Sequence, residues 1–234
     1  MKGFIIAASG VTPESERPGF IIVLFMFDTK KVADTYDQIA LNFSATRGKL
    51  SPEVISLLPA LPKGATVLDL GCGNGVLLTA LPEDISYTGI DISPTLLKEA
   101  SRSHPVAHPV ARFILSDISV DSTWERLDLF DFIAALAVFH HLPTSDDHIK
   151  LLLYIKQHLK PTGSVLVSVW RLTQSRFDKY RTDSKHLSIP FHNGPARDFF
   201  AFTDDELPKL AKQVGFGNIK TKIVKDNLYL SLSL

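Results

Sequence analysis

The nine residues Val67-Leu68-Asp69-Leu70-Gly71-Cys72-Gly73-Asn74-Gly75 constrain the fold of this chain more than any other segment. A short apolar run carrying one acid enters a turn with glycine at every second position, and Val76, Leu77 and Leu78 then open a helical pattern. Glycine permits positive φ and lets a ligand approach main-chain N–H groups. A strand that turns into a helix at such a loop is the ligand-binding unit of doubly wound α/β sheets. A dinucleotide fold places Gly-x-Gly-x-x-Gly here to seat a pyrophosphate on the helix N-terminus. This chain has Gly-x-Gly-x-Gly with Asp69 two residues ahead, and that charge repels phosphate and attracts a cation.

Apolar runs and helical patterns alternate through the rest of the chain, which predicts an α/β fold with a mostly parallel sheet and helices on both faces. Strands are expected at Thr66 to Leu70, Tyr87 to Asp91, Arg112 to Leu115, Phe130 to Leu136 and Ser164 to Val169. One helix is expected to be capped by Ser145, with Asp146 and Asp147 in its first turn, Ile149, Leu152, Leu153 and Leu159 inward, and a stop at Lys160-Pro161-Thr162-Gly163. Another follows the capping box Thr203-Asp204-Asp205-Glu206, carries Pro208 in its second turn and ends at Gly215. From Ile219 to Leu234 the pattern becomes strand, Lys225-Asp226-Asn227 turn, and strand. Such a terminal hairpin differs from the parallel strands that complete a nicotinamide-binding domain.

A length of 234 residues fits one domain, expected over 28–234, with 1–27 as an N-terminal extension. Within that extension Phe20 to Phe27 is an apolar run of eight, far below the roughly 18 residues of a membrane span. Acids precede it, which does not suit a secretory signal. It reads either as a hydrophobic arm or as sequence upstream of a start at Met26. With 25 acids against 25 bases the chain has no overall field to hold a polyanion. The single cysteine, Cys72, leaves no partner for an intramolecular disulfide, and a cytoplasmic location is the expectation that follows.

Two further acids fall at strand ends. Asp91 closes the second strand about 20 residues past the loop, where a carboxylate accepts from ribose hydroxyls. Asp117 follows the third strand, placed to accept from an adenine amino group while Ile118 donates from its backbone and Ile92 packs on the ring. Three acids converging on one cleft suit S-adenosylmethionine, whose α-ammonium and sulfonium are cationic.

In this order the motifs resemble those of class I S-adenosylmethionine-dependent methyltransferases over roughly residues 35–234. The resemblance implies a Rossmann-like seven-stranded sheet with an antiparallel last strand. It makes Asp69, Gly71, Cys72, Gly73 and Gly75 the loop at the methionine end, Asp91 with Ile92 the ribose and ring contacts, and Asp117 with Ile118 the adenine contacts. Ala135 to Val138 would flank the sulfonium. A second likeness rests on Tyr36-Asp37-Gln38-Ile39-Ala40 with Phe43 to Arg47, on Ala137 to Leu142, on Val169-Trp170 and on Arg197 to Thr203. Together these resemble the tRNA methyltransferases that esterify the carboxymethyl group of wobble uridine, with tRNA and a small activator subunit as implied partners. The local basic clusters at 156–160, 171–185 and 209–225 could touch phosphates or form an ordinary solvated face.

Methyl transfer from a sulfonium is an in-line displacement governed mainly by placement. A carboxylate acceptor is already ionised and needs orientation, for which Arg47, Arg171, Arg197 and Tyr36 are candidates, with Trp170 as a further substrate contact. A hydroxyl or acidic carbon, as in a small metabolite, would need a base, and His140 is best placed. His140 and His141 could suggest a metal, but adjacent strand-end histidines are expected to point apart and no further ligand completes a set. Two rivals stay open at this stage: a non-catalytic cofactor- or partner-binding module, and a nicotinamide oxidoreductase.

Overall fold

The structure, a computed structural model, describes residues 29–46, 48–104, 110–192 and 194–234. The expected N-terminal extension and Arg47 lie outside the described residues. In chain order the elements are α1 (Thr29–Thr46), α2 (Pro52–Ile55), β1 (Thr66–Leu70), β2 (Ser86–Asp91), α3 (Pro94–Ser103), β3 (Val110–Leu115), α4 (Asp121–Trp124), β4 (Phe130–Leu136), α5 (Ser145–Gln157), β5 (Leu159–Trp170), β6 (His186–Pro190), β7 (Ala196–Phe200), α6 (Glu206–Val214), β8 (Asn218–Val224) and β9 (Asn227–Ser233). Seven strands form one sheet in the order β3-β2-β1-β4-β5-β9-β8, and β6 with β7 form a second, antiparallel pair. β1 to β5 run parallel, whereas β9 is antiparallel to both β5 and β8. This is the seven-stranded sheet with a reversed last strand that the resemblance implied.

Strands buried on both faces read as continuous apolar runs, and the alternation of their side chains builds two cores. Leu68, Leu70, Ile133 and Ala135 join Leu151, Leu152 and Ile155 of α5 and Leu207 and Ala211 of α6. Val67, Phe132 and Ala134 join Val54 of α2 with Leu77 and Leu78 on the opposite face. Strand order reverses between β1 and β4, so the cleft opens at the carboxyl ends of these strands, the switch point where such sheets bind ligands.

Local chemistry moved several boundaries. The turn after Gly75 forms only a short 3₁₀ segment, Val76–Ala80, in place of an α-helix, because Pro82 disfavours helical backbone at Leu81. Thr144, not Ser145, caps α5 by accepting from Asp147 N–H at 3.1 Å, and Leu153 faces solvent. β5 begins at Leu159, a residue expected on the preceding helix, and runs through the expected stop at 160–163. Glu206 accepts from Thr203 N–H at 2.8 Å, one half of the predicted capping box. Pro208 sits in the first turn of α6, where a missing N–H costs nothing.

Candidate active site

β1 and β2 carry the acids of the cleft to its floor. Asp69 is buried and accepts from the Tyr87 hydroxyl at 2.6 Å. Asp91, also buried, accepts at 2.8 Å from Gly73 N–H and at 2.9 Å from Ser93 N–H, so this one carboxylate ties the glycine loop to the start of α3. Gly71, Gly73 and Gly75 take φ of 65, 54 and 75. At Gly71 an added Cβ would lie 2.5 Å from Val138 Cγ2, so loop and β4 turn meet without room for a side chain. Burial pushes the Asp69 carboxyl up to about 7; the Tyr87 hydrogen bond opposes that, and the Asp91 charge adds to it. Burial likewise raises Asp91 against its backbone hydrogen bonds. Among the described residues neither acid has an ion-pair partner. Two buried carboxylates without a cation form a site that a positively charged ligand completes.

A cleft of about 260 Å³ is lined by Asp69, Gly71, Cys72, Gly73, Asn74, Asp91, Ile92, Asp117 and Ile118 at this end. Asp117 Oδ1 accepts from the Ser119 amide and hydroxyl at 2.8 and 2.7 Å, which fixes the carboxyl at the cleft. Burial raises the Cys72 thiol well above its usual range, so it serves as packing. Gly75 caps the 3₁₀ segment and is not among the lining residues. Ala135 also lies elsewhere, fully buried in the core; Leu136, Ala137 and Val138 line the cleft in its place. The physical reason is register, since β4 runs through Leu136 and only the chain beyond it turns to the opening.

The other end is aromatic. After β4 the backbone turns through Ala137 at φ 59, with its N–H 3.0 Å from both the Ser168 carbonyl oxygen and Oγ, into the 3₁₀ turn Phe139–His141. That turn corrects the expectation for the two histidines: their ring centroids are 4.6 Å apart, because consecutive residues in a turn do not alternate as on a strand. His140 is buried, and its Nδ1 accepts from Trp170 N–H at 3.2 Å. A neutral ring that accepts at Nδ1 carries its proton on Nε2, so His140 faces its surroundings as a donor. His141 Nε2 lies 2.8 Å from the Tyr36 hydroxyl, which connects α1 to the turn. Among the described residues no three His, Cys, Asp or Glu side chains group as metal ligands.

Arg197 comes from β7 and lies 7% exposed beside this turn. Its guanidinium sits 5.4, 5.0 and 5.2 Å from the ring centroids of Trp170, Phe191 and Phe199, and Trp170 stacks on Phe199 at 5.3 Å. Arg197 Nε is buried without a hydrogen-bond partner among the described residues. Arg171 has a different fate. Two of its nitrogens bind Asp204 at 2.8 and 2.7 Å, and it does not line the cleft. Other members of the basic clusters are paired with acids too: Arg176 with Asp226, Arg181 with Asp178, Lys185 with Glu206 and Lys209 with Asp205. Asn227 and Tyr229 at the start of β9, and Leu50 and Val54 near α2, line the cleft without having stood out in the sequence. The only signal for Asn227 was its place at the turn of the terminal hairpin.

Of the site candidates the structure therefore gathers Tyr36, Asp69, Gly71, Cys72, Gly73, Asp91, Ile92, Asp117, Ile118, His140, Trp170 and Arg197 around one cleft.

A family described as a methyltransferase domain matches residues 43–221. A tRNA (carboxymethyluridine(34)-5-O)-methyltransferase of Arabidopsis thaliana is 35% identical over 63% of this chain and 34% of its own length. The protein of that name in Schizosaccharomyces pombe is 32% identical over 63% of this chain and 60% of its own length. A trans-aconitate 2-methyltransferase of Azoarcus is 31% identical over 58% of this chain and 50% of its own. The chain thus spans less than two thirds of these relatives. Among solved structures, an S-adenosylmethionine-dependent methyltransferase from Methanosarcina mazei superposes with a TM-score of 0.63 at 18% identity, covering 80% of this chain and 99% of that one. A methyltransferase from Haloferax volcanii in complex with the Trm112 activator gives 0.65 at 17% identity, covering 86% and 96%. On sheet order, glycine loop and family match together, this chain belongs to the methyltransferase-domain family, as a class I S-adenosylmethionine-dependent methyltransferase.

Proposed function

We propose that the chain transfers a methyl group to a carboxylate oxygen, and that the acceptor is the carboxymethyl group on the wobble uridine of a tRNA. The observation that carries this is Arg197, a buried guanidinium on the cleft with an unsatisfied Nε among aromatic rings. A buried cation is costly without a counter-charge, and a planar fork of donors matches a carboxylate. The names of the relatives agree, since carboxymethyluridine and trans-aconitate both carry carboxylates.

The donor site fits S-adenosylmethionine by its chemistry: two buried acids without an ion-pair partner among the described residues, a glycine loop that lines the cleft without side chains at Gly71 and Gly73, and apolar Ile92 and Ile118 on the same wall as Asp117. When bound there, the cofactor supplies an electrophilic methyl carbon and leaves as a neutral thioether. In this proposal Asp69 and Asp91 hold the cationic and ribose parts, and Arg197 with Tyr36 orients the acceptor carboxylate. His140, a donor at Nε2, orients the acceptor rather than removing a proton from it. No base is required, because a carboxylate is ionised at neutral pH.

The test uses labelled donor with bulk tRNA. Transfer to a carboxylate gives an ester that releases its label in mild alkali. Alkali-stable label in tRNA would overturn the carboxylate acceptor, and label found only in a metabolite extract would overturn tRNA.

We also infer a small activator subunit. The Haloferax complex supports it, and so does the β3 edge of the sheet, which ends in Leu115, 57% exposed, with Val120 exposed nearby. Co-expression with such a subunit should raise the soluble yield, and Leu115→Lys should abolish that gain.

A further inference from the structure

The 3₁₀ turn Phe139–His141 carries both cleft histidines and has little holding of its own. Its backbone bonds are His141 N–H to the Val138 carbonyl at 2.8 Å and Leu142 N–H to the Phe139 carbonyl at 3.1 Å. Its two histidine side chains are held by Trp170 N–H and the Tyr36 hydroxyl, and its carbonyls, with that of Pro143 just beyond, meet two imidazoles outside the cleft. His148, on α5, places Nε2 3.0 Å from the Phe139 carbonyl oxygen and 3.1 Å from that of Leu142. His186, at the start of β6, places Nε2 2.8 Å from the Pro143 carbonyl oxygen and Nδ1 2.9 Å from Asp183 Oδ2.

A carbonyl only accepts, so each Nε2 carries a proton. For His148 this selects one tautomer, with a bare Nδ1. That nitrogen is buried without a hydrogen-bond partner among the described residues, in a ring packed against Phe139, Phe200 and Phe202. A second proton there would make an unpaired buried cation. His186 has the opposite requirement. Both of its nitrogens face acceptors, one a carbonyl and one a carboxylate, and only the doubly protonated ring donates to both.

We propose that His148 and His186 are positioning residues that brace the His140–His141 turn, the first as a neutral imidazole and the second as an imidazolium, so that the turn is fully held only while the two rings differ in charge. The surrounding groups agree with this assignment. Burial lowers His148 to about 4, and the Phe139 and Leu142 carbonyls, Asp147 on its own helix and Glu206 of α6 do not offset it. For His186 burial alone would lower the pKa, but the Pro143 carbonyl, Asp183 and, across the β6–β7 pair, Asp198 outweigh it and the net direction is upward. Its neighbour Lys185 is engaged with Glu206, and Asp198 also pairs with Lys31. Nothing in the proposal depends on which acceptor is methylated.

The test is a pH series on the full chain, reading imidazole nitrogen resonances together with amide exchange protection across residues 139–142. The expected result is an Nε2–H tautomer for His148 from pH 5 to 9 and a charged His186 at pH 6.5. Protection of the turn should fall about tenfold as His186 loses its proton, the loss of one charge-assisted hydrogen bond. His186→Gln, at a half-exposed site, should remove that alkaline fall and leave His148 as the Nε2–H tautomer. A His148 proton on Nδ1, a His186 that titrates below 6.5, or turn protection indifferent to His186→Gln would each overturn the proposal.

Discussion

Arg197 keeps its charge in a place that most arginines avoid, enclosed by Trp170, Phe191 and Phe199 with Nε unsatisfied. Cation–π attraction offsets part of the desolvation, and an incoming carboxylate would offset the rest. Arg197→Lys keeps the charge and loses the fork. We expect kcat/KM for a carboxylate acceptor to fall by roughly 10²- to 10³-fold, in line with about 3–4 kcal/mol for a buried charge-assisted pair. Affinity for S-adenosylhomocysteine, measured by calorimetry, should stay within about twofold, and equal losses in both would count against an acceptor role. Asp69 makes a separate prediction. Its carboxyl ionises near 7 in the free protein, so affinity for S-adenosylmethionine should weaken as pH falls below about 7, and Asp69→Asn should flatten that dependence. These acids were legible in the sequence because each ends a strand, in order, beside a glycine turn. The arginine was less so. Arg47, Arg171 and Arg197 looked alike along the chain, and only packing shows that Arg171 is neutralised by Asp204 while Arg197 is not.

At the scale of elements, the turn after β4 stores strain. Ala137 holds φ 59, a left-handed conformation that costs an L-residue about 1–2 kcal/mol. Its N–H is held by Ser168, which keeps the turn aimed at the cleft. Ala137→Val should lower unfolding free energy by about 1–2 kcal/mol in denaturant titrations, since a β-branched residue tolerates that region least. Ala137→Gly should be close to neutral, and a destabilisation as large as that of valine would show that strain is not the cause. β1 and β4 fell on the bounds expected from sequence, because a buried parallel strand is a plain apolar run between polar ends. β6 and β7 gave no such signal. His186–Pro190 holds only Leu187 and Ile189 in alternation and ends in proline, while Ala196–Phe200 carries Arg197 and Asp198 at its centre. Period-2 reading needs a regular buried face, and this pair instead places Arg197 at the aromatic end of the cleft.

Across the whole molecule, stability should depend on pH through two buried groups of opposite sign. Asp69 has a folded pKa above its ordinary value, so its contribution is present below about 3.8 and is lost as pH rises through about 7. His148 has a folded pKa below its ordinary value, so its contribution is present above about 6.5 and is lost as pH falls through about 4. Between these limits the two oppose each other. The stability gained on Asp69→Asn should therefore grow from near zero at pH 4 toward about 4 kcal/mol above pH 7, taking 1.36 kcal/mol per unit as the conversion. A difference between variant and parent that stays constant with pH would show that Asp69 is not desolvated as described.

The β6–β7 pair is joined to the main sheet by connections rather than by strand hydrogen bonds. It holds Arg197, while the acids of the donor site stand on β1 and β2. Under the proposed function, the arginine that receives the acceptor stands on an appended ribbon, and the acids that hold the donor stand on the sheet itself. A chain in which this ribbon were exchanged for another would keep its donor and acquire a different client, so acceptor choice can drift in evolution without endangering the chemistry beneath it.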